Sequence, residues 1–217
     1  MRPPTDPESR PPTIEDAIAD LVSGSVAPVR ARAARILRDF SRVDHAVYEA
    51  IALTDTPELD EPFRRLSTAA NRSAIWIAIA AGLALLGGRR GRRAAVAGLM
   101  SIGVSSALVN IGLKSVASRP RPDREGARVV DGRHVTMPSS TSFPSGHSAS
   151  AFAFAGAVGR EMPWLAFPLR LLAAAVAYSR FHTGVHYPGD AVVGSLIGGA
   201  TGSVVGGALD RRGRTAP

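Results

Sequence analysis

Three polar clusters interrupt the apolar second half of this 217-residue chain. The first is Lys114 with Arg121 and Pro122, the second is Pro144-Ser145-Gly146-His147, and the third is Ser179-Arg180 with His186 and Asp190. Between them they hold two histidines, one carboxylate and three permanent cations. Phosphoryl transfer through a histidine needs that set: a nucleophile, a proton donor, an orienting acid and an anion clamp. It calls for no metal and no other cofactor.

Each cluster has its own chemistry. Lys114 is the only lysine among 26 basic residues, a compact point charge in a chain that otherwise uses arginine. Arg121 and Arg180 offer planar forks suited to phosphate oxygens. Pro144-Ser145-Gly146-His147 precedes an apolar helical run, with Ser145 placed as N-cap. The free N–H groups of that first turn suit an anion, and His147 there is placed to hand a proton to a leaving oxygen. Pro188 and Gly189 predict a turn that folds Asp190 back on His186, orienting the ring and leaving one nitrogen as nucleophile. His182 and His186 without a convergent acidic cluster make a poor metal site, so none is expected. Arg119 and Arg124 read as interfacial anchors, and His45 as a surface histidine.

These clusters need elements to hold them. Apolar runs occupy residues 73–88, 94–113, 148–159, 162–178 and 190–208. A helix crossing the hydrocarbon takes about 20 residues, so the second and fifth are long enough while the first and third are short. Gly194, Gly198 and Gly202 recur every fourth residue, which suits close helix–helix approach in lipid. Pro168 predicts that the fourth helix starts near Leu169, with Arg170 near an end or facing the bundle interior. Before these runs, residues 1–72 carry twelve acidic and ten basic side chains. Residues 1–13 read as disordered, 14–42 as amphipathic helix, and 43–70 as helix broken near Thr56-Pro57. No chemistry is assigned to this region. The expected organisation is a polar region 1–72, a membrane-embedded domain 73–208 and a basic tail 209–217. A buried soluble bundle is the alternative, but five such runs leave it too little polar surface.

Counting crossings puts the three clusters on one face. Lys114 ends the second run, His147 starts the third, and the fourth returns the chain to Arg180, His186 and Asp190. Eight arginines, at 89, 90, 92, 93, 160, 211, 212 and 214, share the other face. By the positive-inside rule that face is cytoplasmic and the clusters look outward. The net charge of +8 is thus a matter of membrane topology, not of nucleic-acid binding, and only 6% of residues are aromatic. The absence of cysteine excludes disulfides and thiolate chemistry. No cleavable signal is evident in the first residues, so an internal span is expected to direct insertion.

Lys-x6-Arg-Pro, Pro-Ser-Gly-His and Ser-Arg-x5-His-x3-Asp, in this order, resemble the three signatures of the type 2 phosphatidic acid phosphatase superfamily, which includes lipid phosphate phosphatases and vanadium haloperoxidases. The resemblance covers roughly residues 73–208. It implies an all-α integral membrane bundle of about five to six transmembrane helices, since membrane members usually have six, and phosphate hydrolysis through a phosphohistidine. By position it makes His186 the nucleophile, Asp190 its partner and His147 the general acid. Lys114, Arg121, Ser145, Gly146 and Arg180 would hold the phosphate. The implied partners are membrane lipids and a lipid phosphate: phosphatidate, phosphatidylglycerophosphate, or a polyprenyl phosphate or diphosphate. The Arg-, Ala- and Gly-rich composition favours a polyprenyl carrier in a bacterial cytoplasmic membrane. A binder or transporter of such lipids without turnover would use the same cations but would not need both histidines and Asp190. A vanadate-dependent oxidase suits a lipid-embedded site poorly.

Overall fold

Alanine, leucine and arginine favour helix, and the computed structural model is helical over most of the residues it describes, 14–116 and 119–215, with no strand among them. The expected disorder of residues 1–13 lies outside the described residues. The chain divides into two compact units, residues 1–43 and 44–217. Helix α1 (Ile14–Leu53) runs through residues 14–43 of the first unit.

The second unit holds the end of α1 and all further helices. α2 (Pro57–Ala69) begins after the break expected at Thr56-Pro57, and α3 (Ala74–Leu86) follows a kink at Asn71–Ser73. α4 (Gly88–Ala107) continues through a π turn, Leu108–Leu113, into the single turn α5 (Lys114–Val116). After a long loop come α6 (Gly146–Glu161), α7 (Pro163–His182) and α8 (Pro188–Thr215).

α6 is the central helix, packed against α4, α7 and α8. Its Ala151, Ala155 and Phe154 are buried with Trp76, Ala94 and Val176, and the Trp76 and Phe154 rings lie 5.4 Å apart. The glycine stripe works as expected: a side chain at Gly194, Gly198 or Gly202 would collide with the Ser145, Ala149 or Ala153 carbonyl of α6. At the end remote from the clusters, Arg90 donates to the Glu161 carbonyl, joining the α3–α4 and α6–α7 junctions. The two junctions thus share one end, as the counted crossings require.

Two details differ from expectation. α7 starts at Pro163 and carries Pro168 within it, with Arg170 exposed near that end. At the sixth helical position Pro168 forfeits one backbone bond to the first turn, which the helix tolerates. Among the described residues, length and composition qualify two helices to cross a membrane, Gly88–Val116 and Pro188–Leu209, or three if α2 and α3, bent by 65°, form one broken span. α3 has 13 residues and α6 has 16, about 20 and 24 Å at 1.5 Å per residue. Both fall short of the ~30 Å hydrocarbon layer, so the five to six expected spans are not what helix length alone supplies. The described residues form an all-helical bundle with two to three candidate membrane spans.

Candidate active site

His186 lies in the turn joining α7 to α8. The Arg180 carbonyl accepts from the Val185 and His186 N–H groups, and Gly184 (φ +67°) reverses the chain between them. This buries the imidazole, leaving it 1% exposed. Its Nε2 lies 3.3 Å from Arg121 Nη1. A guanidinium only donates, so Nε2 is the acceptor and the ring proton sits on Nδ1. That nitrogen faces Asp190 Oδ2 at 3.5 Å, an ion-pair distance outside hydrogen-bond geometry. The lone pair therefore points toward Arg121 and the proton toward the carboxylate. Burial pushes the imidazole down to about 4; Asp190 opposes that shift, and Arg121 and Arg180 reinforce it. At neutral pH the ring is uncharged and its Nε2 lone pair is free of a proton.

Asp190, in the first turn of α8, is fully buried and densely bonded. Oδ2 accepts from Ser142 Oγ and, at 2.9 Å, from the Tyr187 N–H. Oδ1 accepts from Arg119 Nη1 at 2.8 Å, and the same nitrogen stands 2.7 Å from Asp44 Oδ2. The guanidinium also lies 4.0 Å over the Tyr187 ring. Asp44 Oδ1 accepts from the Gly189 N–H at 2.7 Å, which ties the end of α1 to the start of α8. Arg119 is therefore not the interfacial anchor that its position in the sequence implies: it is the shared counter-charge of two buried carboxylates. Its removal would leave both unpaired, a loss of about 3–5 kcal/mol. Arg119→Met is expected to lower the thermal midpoint sharply, and Asp44→Asn in that background to restore part of it. Thermal denaturation of the four proteins checks this; a double variant no more stable than Arg119→Met contradicts it.

A cavity of about 250 Å³ opens beside His186. Lys114, Arg121, Gly146, His147 and His186 all line it, so residues from every cluster meet there. Arg121 is held rigidly, donating to the Ser140 and Thr141 carbonyls at 2.8 and 3.2 Å and to the Val185 carbonyl at 2.6 Å. Lys114 Nζ donates to Ser140 Oγ at 3.1 Å. Gly146 and His147 form the first turn of α6, where unpaired N–H groups and the helix dipole favour an anion. His147 Nε2 donates to Asn71 Oδ1 at 3.1 Å, which fixes the ring.

Two expected phosphate contacts lie elsewhere. Ser145 is fully buried and its Oγ accepts from Ser148 N and Ser148 Oγ, at 3.4 and 3.0 Å. The cap that starts α6 uses up this hydroxyl, and the side chain does not reach the cavity. Arg180, 1% exposed, donates through Nη1 to Ser67 Oγ and O at 2.6 and 3.0 Å, while its Nε has no partner. It backs the site without lining the cavity. His182 bonds Asp60 at 3.1 Å, beside the buried Arg133 that also holds Asp60 at 2.7 Å. That knot ties α7 to α2 and leaves His182 no role beside His186. His45 is exposed as expected, its ring tilted against Tyr187 at 4.4 Å.

The polar N-terminal region is not chemically idle: Ser67 and Asn71 touch Arg180 and His147 of the clusters, and Asp44 shares Arg119 with Asp190. No local motif marks them, since each is a lone polar residue on a helical face or in a kink.

Comparison with known proteins gives concordant findings. The sequence model of the PAP2 superfamily matches residues 94–213. Decaprenylphosphoryl-5-phosphoribose phosphatase of Mycobacterium tuberculosis is 35% identical over 154 residues, 71% of this chain and 82% of that protein. Lipid A 4'-phosphatase of Bacteroides thetaiotaomicron is 31% identical over 113 residues, about half of each chain. Among solved structures, the PAP2 type phosphatidylglycerolphosphate phosphatase of Bacillus subtilis superposes with a TM-score of 0.64 at 23% identity, covering 82% of this chain and 90% of that one. Aquifex aeolicus LpxE gives 0.58 at 28% identity, over 74% and 92%.

Proposed function

Since the chain belongs to the PAP2 superfamily, we propose that it is a membrane lipid-phosphate phosphatase working through a phosphohistidine at His186. The observation that carries this reading is the orientation of His186 on the cavity wall: Nε2 toward Arg121, which lines the cavity with it, and Nδ1 toward Asp190. In the first step the Nε2 lone pair forms a bond to phosphorus. The P–O bond to the lipid breaks, and His147, made cationic by the phosphate dianion bound beside it, delivers one ring proton to the departing oxygen while its Nε2–H stays on Asn71. Asp190 stabilises the ring as it becomes cationic. In the second step a water attacks the same phosphorus, His147 takes its proton, and the P–N electrons return to Nε2. Lys114, Arg121 and the first-turn N–H groups of α6 balance the phosphoryl oxygens throughout.

The relatives supply the first substrates to test. One is named for a decaprenyl-linked phosphosugar and one for lipid A, so a prenyl-linked sugar phosphate leads, ahead of phosphatidate, phosphatidylglycerophosphate and prenyl diphosphate. We read residues 73–208 as the membrane-embedded catalytic domain, with α3 to α8 sharing it. Arg89, Arg92 and Arg93 gather at the end remote from the cavity, and Arg160 and Arg211 approach one another there. That end is read as cytoplasmic and the cavity as opening outward.

Purified protein is expected to release phosphate from at least one of these lipids, and to do so undiminished in a chelator, since the chain's own cations and histidines supply every charge the steps use. Saturable lipid binding without any phosphate release would replace this reading with that of a carrier. Activity lost with the chelator and restored by a divalent ion would overturn the mechanism.

A further inference from the structure

The kink between α2 and α3 places two successive non-glycine residues in the left-handed region, Arg72 at φ 54° and Ser73 at φ 60°. Side chains of L-residues rarely tolerate that conformation, and it persists where the surroundings over-determine it, often at ligand clamps. Here Ala70 and Trp76, 2% and 1% exposed, anchor the chain on either side. The kink does two things at once. It delivers Asn71 to His147, and it brings Arg72 and Ser73 to the wall of the cavity.

Arg72 differs from the other cations of the cavity. Arg121 is immobilised by backbone carbonyls, and Lys114 is tied to Ser140. Arg72 is exposed and, among the described residues, makes no ion pair or side-chain hydrogen bond. Its neighbours on the wall, Ser106, Asn110 and Ser150, are neutral, so no carboxylate of the cavity wall competes for it. Its location follows from the proposed phosphatase chemistry, on which this inference rests. His186 and Arg121 mark the phosphoryl side and His147 meets the leaving oxygen. The segment holding His147 therefore borders the group that leaves.

We propose that Arg72 binds a second phosphoryl group carried by the leaving part of the substrate. The favoured substrates are then lipids with two phosphorus atoms. A prenyl diphosphate, whose leaving group is a prenyl monophosphate, meets this requirement, and so do a phosphosugar joined to its lipid by a phosphodiester and phosphatidylglycerophosphate. A phosphatidate or prenyl monophosphate leaves as a neutral alcohol and offers Arg72 nothing.

The test compares kcat/KM for matched pairs: prenyl diphosphate against prenyl monophosphate, and prenylphosphoryl-5-phosphoribose against the same monophosphate. Arg72→Gly suits it best, because glycine adopts positive φ freely and the kink is kept. The two-phosphorus preference is expected to fall about tenfold in Arg72→Gly, as for loss of one charge-assisted contact, and less in Arg72→Lys. The pair in which it falls identifies which phosphoryl source Arg72 reads. A preference unchanged within about twofold in both pairs, in an enzyme that still turns over, overturns the inference. Absence of turnover in the unsubstituted protein would instead overturn the phosphatase reading.

Discussion

His186→Ala is expected to reduce phosphate release by at least ~10⁴-fold, because loss of a covalent nucleophile leaves only binding and electrostatic stabilisation. The same residue predicts an unusual pH dependence. The ring is held neutral well below the ordinary imidazole range, to about 4, so the acid limb of kcat/KM is expected near pH 4 and not near 6.5. As pH falls through that limb the ring gains a proton and Nε2 loses its lone pair. Asp190 favours the protonated ring, so Asp190→Asn should move the limb to still lower pH, which distinguishes it from titration of the substrate phosphate. Stability carries the same sign. The folded value lies below the unfolded one, so this contribution is complete above about pH 6.5 and is lost as pH falls toward 4. A pH–rate series of the two proteins checks both; a limb near 6.5 that Asp190→Asn does not move contradicts the assignment.

His147→Ala is expected to lower kcat on a lipid substrate by ~10²–10⁴-fold, the usual range for a positioned proton donor. The effect should depend on the leaving group. A lipid alcohol departs poorly as an alkoxide and needs the proton, whereas a nitrophenolate does not. The variant is therefore expected to hydrolyse an aryl phosphate with far less impairment than its natural class of substrate. Equal loss on both would make His147 a binding residue. Asn71→Ala, which frees the His147 ring without removing it, should show the same leaving-group pattern at smaller amplitude.

The clusters were legible because their chemistry is local: residue types at fixed spacing, ended by Pro, Gly or a helix cap. Crossing parity brought Lys114, His147 and His186 to one cavity without any knowledge of packing, and the glycine stripe at 194, 198 and 202 announced its contact with α6. What escaped was everything decided across space. Arg119 sits two residues from Arg121 and looks like any basic loop residue, yet two carboxylates from distant elements converge on it. Asn71 and Arg72 owe their places to a left-handed kink between two helices that no glycine or proline marks. Ser145 shows the converse: its position in the cluster suits a phosphate contact, but capping α6 claims its hydroxyl. Helix length was legible too: the runs at 73–88 and 148–159 read as short, and α3 and α6 are short elements packed in a bundle of longer ones.

The covalent intermediate is the central claim, and rapid quenching of the enzyme with phosphorus-labelled lipid tests it most directly. The prediction is an acid-labile, alkali-stable label on the peptide containing His186, formed within one turnover and missing from His186→Ala. Steady turnover with no labelled protein, or a label carried by a different residue, would contradict it.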